Sequence, residues 1–442
     1  MTTTRQPKPL SAQPLSTVSF VAPDRTLVET LFDPEQGSTV FAIRSPDGQT
    51  RLVAHFEMPG GEQLIPYSAT NNLLTSGCVL LPSAEGTFPG KVALLEAVRA
   101  YIRRYVDLSE TFEQIAAHYV LLTWVYDAFQ ELGYLRFRGD FGTGKTRALL
   151  AIGSICYKPF FASGASTVSP IFHVLDAFAG TLVLDEADFR FSDATAELSK
   201  VLNNGTVAGL PVLRTMTNRH RELNPQAFRV FGPKLVAMRG SYQDAALESR
   251  FLTEETRRKA LRADIPIHTP SEMRQEALAL RNQLLAWRFE ARFQVAPDPS
   301  RLAQGVSPRF NQTALALLSI VDDAELRDRI RTELVDEEAR VLHERASTTE
   351  TTMLGVVLDA FATNATASVS LQDIAERYFR NSPEKLYQAP TSKWVGWVLR
   401  ERLGIVPVKS HGKYVVPQTE RPKLERLAKR AGLMDTEVAV AA

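Results

Sequence analysis

The chain has 442 residues, too many for one ordinary domain, so two to four are expected. It is 44% hydrophobic and 23% charged with a formal net charge of +1, which supports a packed core and excludes a global bias toward nucleic acid; any such surface must be a local patch. Two distant cysteines, Cys78 and Cys156, exclude a disulfide scaffold or zinc site, and no apolar run approaches the roughly 20 residues that span a bilayer, so a cytoplasmic protein with no membrane partner is expected.

Residues 1–17 read as a disordered tail without the apolar stretch of a signal peptide. Residues 18–83 are rich in β-branched and aromatic side chains broken by turn formers. Ser38 to Ile43 followed by Pro46-Asp47-Gly48 predicts a hairpin, in a small β-rich domain whose residues identify no chemistry. Over 84–132 the apolar period turns helical: Leu94, Leu95, Val98, Tyr101 and Ile102 share one face, and 112–129 repeats the pattern. Tyr134-Leu135-Arg136-Phe137-Arg138 then predicts a strand, opening a unit over 133–265.

That strand runs into Gly139-Asp140-Phe141-Gly142-Thr143-Gly144-Lys145-Thr146, the G-x-x-x-x-G-K-[ST] pattern of a phosphate-binding loop. Its glycines let backbone N–H groups turn inward around phosphates, and the helix starting near Thr146, with Arg147 next, adds its positive end. Lys145 is expected on the β- and γ-phosphates of ATP, and the Thr146 hydroxyl on Mg²⁺. The apolar strand Thr181 to Leu184 ends in Asp185-Glu186, 40 positions after Lys145. A parallel αβ sheet would deliver that tip beside the loop. Asp185 is expected to hold Mg²⁺ through water, and Glu186 to polarise the attacking water.

Residues 205–250 then resemble the second half of an AAA+ module of the helix-unwinding type. Pro211-Val212-Leu213-Arg214-Thr215 and Phe228-Arg229-Val230-Phe231 predict two strands of a hairpin around a basic loop with Arg219, His220 and Arg221. After the strand Lys234 to Met238 comes Ser249-Arg250-Phe251, similar to the arginine-finger motif of minichromosome maintenance helicases. Ser307-Pro308-Arg309-Phe310 resembles their sensor-2 arginine, and the motif order is similar to that of helicase-like proteins of plasmids, phages and chromosomal cassettes. One departure stands out: Arg239-Gly240-Ser241 follows Met238 where these families usually place a polar residue, commonly asparagine.

The resemblance implies an α/β fold, a three-layer αβα core with a helical lid over 266–345. It also implies ATP bound between subunits of a homo-oligomeric, hexameric ring, with Arg250 acting on the ATP of the next subunit and Arg309 on nucleotide. Each residue has a plainer alternative. Arg250 could pair with Glu248 or Glu254, Arg309 could be a lid-surface residue, and the hairpin loop could be a solvated turn instead of a grip on nucleic-acid phosphates.

Residues 350–420 read as three helices and a hairpin, the layout of a winged helix. Ser370 and Thr391 predict N-caps, Gly404 a helix end, and 405–409 with 413–416 two strands. A basic helix or tail over 421–442 follows. Over 391–432 ten Lys or Arg, among them Lys393, Lys409 and Lys413, face three acids. That segment is +7 and the remainder of the chain −6, which fits local contact with single-stranded or forked DNA, although winged helices also bind proteins. Two functions stay open: an ATP-driven DNA helicase in the replication of a mobile element, or a non-motor AAA+ switch, a DNA-bound regulator or defence ATPase remodelling a partner. A nucleotide kinase shares the loop but not the acid pair, hairpin or winged helix.

Overall fold

Alternating side chains organise the centre of the protein. In this computed structural model, which describes residues 13–185, 187, 193–217, 223–242, 244–256, 262–346, 349–363, 368–381, 390–431 and 433, the chain forms two units, 1–335 and 336–442. In the first, five strands make one parallel sheet: β1 (Tyr134–Arg138), β2 (Phe160–Ser163), β3 (Leu182–Asp185), β4 (Lys234–Met238) and β5 (Phe251–Glu255). Their spatial order is β5-β1-β4-β3-β2. Strands buried on both faces read as continuous apolar runs, as β3 and β4 do.

Tyr134, Leu182, Leu184, Val236, Met238 and Phe251 share one face of that sheet, packed with helices α4 (Val168–Phe178) and α5 (Asp193–Asn204). The other face meets α3 (Lys145–Ser154), where a Cβ on Gly153 would lie 2.9 Å from the Val183 side chain. It also meets α2 (Glu110–Thr123), whose Phe112 stands edge-on to Phe137 at 5.8 Å between centroids. A parallel sheet is thus covered by helices on both sides, compatible with a P-loop AAA+ core.

Between α5 and β4 an antiparallel hairpin pairs Val212–Thr217 with Leu223–Phe228. The second strand ends at Phe228, so Arg229, Val230 and Phe231 lie beyond it and not within it. Asp176 on α4 takes the Arg229 backbone N–H and guanidinium, each at 3.0 Å, and the buried Lys234 ammonium takes the Val230 and Gly232 carbonyls at 2.9 Å. Those competing bonds remove the ladder's partners.

The strands Ser19–Val21, Leu27–Asp33, Ser38–Arg44 and Thr50–Val53 form an antiparallel meander. Val28, Phe41 and Ile43 face a small core of its own. Glu29 points the other way, into a buried network. The Tyr157 hydroxyl donates to both its oxygens (2.7 and 2.9 Å), and Arg288 of α6 (Glu272–Ala291) donates from Nε at 2.6 Å. Arg288, 1% exposed, also binds Asp127 through both terminal nitrogens at 2.9 Å. Burial alone would raise Asp127, but Arg288 and Arg292 outweigh it and hold the carboxyl at about 2.

Removing one member of a buried network strands the other charges, at a cost of about 3–5 kcal/mol, whereas an exposed pair such as Arg331–Asp328 contributes about 0–1 kcal/mol. Arg288→Ala is therefore expected to lower the urea midpoint of the full chain sharply and Arg331→Ala hardly at all. Equal midpoints for the two variants would remove Glu29–Arg288–Asp127 as the tie between the meander, α6 and the turn that follows α2.

Helices α7 (Pro308–Ile320) and α8 (Ala324–Ala346) follow α6. The second unit has its own core, from α9 (Thr349–Thr363), α10 (Leu371–Asn381), α11 (Ser392–Trp397) and α12 (Arg421–Arg430). A three-stranded antiparallel sheet completes it, with Lys413–Pro417 between Ser368–Ser370 and Val408–Ser410. The Ser370 and Thr391 hydroxyls accept from the Asp373 and Trp394 N–H groups (3.1 and 3.2 Å). The first strand of the terminal hairpin starts at Val408 and not at 405, because the buried Ile405 gives its N–H to Leu399 at 2.7 Å and closes the helix end. Among the described residues no helix is long and apolar enough to cross a membrane.

Candidate functional site

At the C-terminal end of β1 the chain turns sharply into α3. Gly139 donates its N–H to Met238 at 3.2 Å, and a Cβ there would lie 2.2 Å from the Thr256 carbonyl, so only glycine fits. Gly144, at φ +89°, opens the helix from a left-handed conformation that glycine adopts without penalty. Between them Thr143 braces the loop through the Asp140 carbonyl (2.9 Å) and the Thr256 hydroxyl (2.8 Å). The Lys145 ammonium donates to the Gly139 and Asp140 carbonyls at 2.6 Å each, so it is aimed into the loop's own concavity. Phe141 and Gly142 are exposed at the rim.

Asp185 ends β3 beside this loop, and the Thr146 hydroxyl donates to its carboxylate at 2.7 Å. Residues 39 positions apart in sequence thus place a hydroxyl and a carboxylate oxygen together at the mouth of a helix N-terminus. Hydroxyl and carboxylate oxygens are the donors Mg²⁺ takes alongside phosphates and water, so this pair fits the ion the sequence implies. The Arg147 guanidinium is turned aside, bonded to the Pro266 and Ile267 carbonyls, which leaves only its backbone N–H for phosphate. Arg239, which follows β4 at the same end of the sheet, is exposed. Glu186 and the hairpin tip Arg219, His220 and Arg221 lie outside the described residues.

The two remaining arginines are elsewhere. Arg250 precedes β5, and its carbonyl accepts from the Tyr134 N–H at 2.9 Å, level with the start of β1. It therefore lies a full strand, roughly 16 Å, from the loop at the far end of β1. Neither acidic partner open to it in sequence binds it: Glu248 is buried on Arg136 at 2.7 Å, and Glu254 takes the Ser109 N–H and hydroxyl at 2.8 Å. Its guanidinium instead donates to the Thr206 hydroxyl and, at 3.2 Å, to the Ala246 carbonyl.

Arg309, in the first turn of α7, donates to that same carbonyl at 2.7 Å and to the Ser249 hydroxyl. Two guanidiniums therefore converge in one cleft with Glu131 and Gln312. Burial, then the neighbouring Arg309, lowers the Arg250 pKa. Arg309 is thus grouped with Arg250 and not with Lys145.

In the second unit Lys393 and Lys413 line a groove of about 410 Å³ with Arg400 and Tyr414, and Lys409 stands on the hairpin opposite Tyr414. Trp394, partly buried, packs edge-on against Tyr378 at 5.4 Å, at the border of the unit's core. Two polar groups at these sites carry no sequence motif: Thr256 and Thr206 are brought in by folding alone, whereas Arg400 belongs to the basic segment 391–432. Ser249 had a signal, since it adjoins Arg250 in the Ser-Arg-Phe triplet.

No family model and no curated protein matches the chain. Among solved structures it is similar to the apo C-terminal region of NrS-1, at 11% identity over 88% of this chain and 96% of that one, with a TM-score of 0.37. It is similar also to JCV helicase, at 15% identity over 60% and 64% of the two chains with a TM-score of 0.26. A third is the Aeropyrum pernix ORC1 protein in complex with DNA, at 16% identity over 80% and 96%, with a TM-score of 0.19. Likenesses this distant carry no weight of their own; the chemistry rests on the geometry of this chain.

Proposed function

We propose that this chain is an ATP-hydrolysing AAA+ motor that acts on DNA, a helicase of the minichromosome-maintenance-like type working as a hexameric ring in the replication of a mobile element. The observation that carries this is the Thr146–Asp185 hydrogen bond beside Lys145, at the C-terminal end of a sheet ordered β5-β1-β4-β3-β2. Loop amides and Lys145 bind the phosphates, and Thr146 and Asp185 hold Mg²⁺, which when bound neutralises charge on the transferring phosphoryl group. Glu186, next after Asp185, orients the attacking water. Arg250 and Arg309 cannot reach their own loop from the opposite end of the sheet, so they serve the ATP of an adjoining subunit. That requirement is the reason for an oligomer.

DNA is gripped in two places: by the hairpin tip Arg219, His220 and Arg221, which moves with the ATPase core, and by Lys393, Lys409 and Lys413 of a winged helix over 350–420. Arg219→Ala with Arg221→Ala is expected to abolish fork unwinding and DNA-stimulated hydrolysis while ATP still turns over without DNA. Lys409→Ala with Lys413→Ala should weaken DNA affinity and reduce the salt slope of binding by about 0.7–0.9 per lost phosphate contact. Turnover at saturating DNA should barely change. ATPase rate against DNA concentration at two salt levels, with a fork-unwinding assay, reads both pairs. A hairpin double variant that unwinds normally would remove the hairpin tip as the grip on DNA.

A further inference from the structure

Arg250 does not hang free in its cleft. It is bonded to Thr206, and Thr206 stands at the foot of the hairpin. On one side of that foot the Thr206 carbonyl accepts from Leu132 at 2.9 Å, and Ala208 donates to Gln130 at 2.8 Å. On the other, Gly232 donates to the Gly205 carbonyl at 3.2 Å. The fully buried Lys234 ammonium gathers the Gly205, Val230 and Gly232 carbonyls at 3.4, 2.9 and 2.9 Å. Both ends of the excursion that carries the hairpin therefore converge on one knot of hydrogen bonds, and Thr206 is where Arg250 touches it.

We infer that Thr206 is a positioning residue that couples Arg250 to the hairpin, so that engagement of a neighbouring subunit's phosphates by Arg250 withdraws its hold on the hairpin's foot. This rests on the proposed role of Arg250 in trans. A phosphate oxygen is a stronger acceptor for a guanidinium than a neutral hydroxyl, because the bond is charge-assisted. The exchange from Thr206 to phosphate therefore runs downhill. Arg309 shares the Ala246 carbonyl that is Arg250's other partner, so the two cations stand side by side at the same foot. Hydrolysis and phosphate loss return Arg250 to Thr206 and the foot to its resting position.

The test compares wild type, Thr206→Val, Thr206→Ser and Arg250→Ala in the full chain, with ATP turnover measured with and without a tailed DNA duplex. Thr206→Val keeps the side-chain shape and loses the hydroxyl. It should lower the DNA-stimulation ratio about tenfold, the scale of one hydrogen bond to a charged group, and lower DNA-free turnover far less. Thr206→Ser should restore the ratio. A Thr206→Val chain stimulated like wild type, one that loses turnover equally with and without DNA, or a serine variant no better than valine each overturns the coupling. Arg250→Ala as active as wild type overturns the role in trans on which it rests, and a wild type that DNA does not stimulate overturns the coupling alone.

Discussion

Lys145→Ala is expected to abolish useful ATP binding, while Glu186→Gln keeps affinity and stops turnover. The Lys145 ammonium is already held in the loop's concavity, bonded to two carbonyls. Losing a charge-assisted contact of about 3 kcal/mol weakens binding about 100-fold. Glu186 follows the carboxylate that Thr146 holds, where a base that orients water contributes about 10²–10⁴ in rate. Nucleotide affinity and phosphate release measured on both variants separate the roles. Wild-type hydrolysis by Glu186→Gln would show that another group positions the water.

Arg250→Ala is expected to leave ATP affinity near normal and to lower turnover by about 10³-fold or more, the scale of an arginine supplied to a transferring phosphoryl group. Mixed with Lys145→Ala subunits it should recover part of the lost activity. Each variant spoils a different side of the shared interface, and some interfaces in the mixture carry both intact sides. The strand that separates Arg250 from the loop makes this a sharp test, because no side-chain rotation within one subunit closes that gap. A mixture no more active than its parents would count against action in trans.

How much of this was legible in sequence follows the range of the interactions. The loop is local: its glycines, Lys145 and Thr146 are consecutive, so pattern and geometry coincide. Asp185 is legible because a buried apolar strand ending in acids has few places to go in a parallel sheet. The Ser-Arg-Phe triplet marks Arg250, but its distance from Lys145 comes only from strand direction, which residue types do not state. Least legible are the buried charges. Nothing near Glu29 announces that its partner is Arg288, 259 positions away, and composition sets 18–83 apart as β-rich without revealing that tie. Lys234 reads as the polar start of a strand, yet it is fully buried on three carbonyls and burial pulls it down to about 7. The hairpin's second strand ends at Phe228 because Asp176, 53 positions away, and Lys234, which reads as the start of the next strand, claim its continuation.

ATP hydrolysed at this loop is expected to drive movement on DNA, and strand displacement tests this most directly. A labelled fork incubated with the wild-type chain, ATP and Mg²⁺ should separate into single strands, and the same fork with Glu186→Gln or with a non-hydrolysable ATP analogue should be bound and stay paired. Robust ATP hydrolysis by the wild type with a fork that remains fully duplex would contradict the motor and leave an ATP-dependent switch in its place.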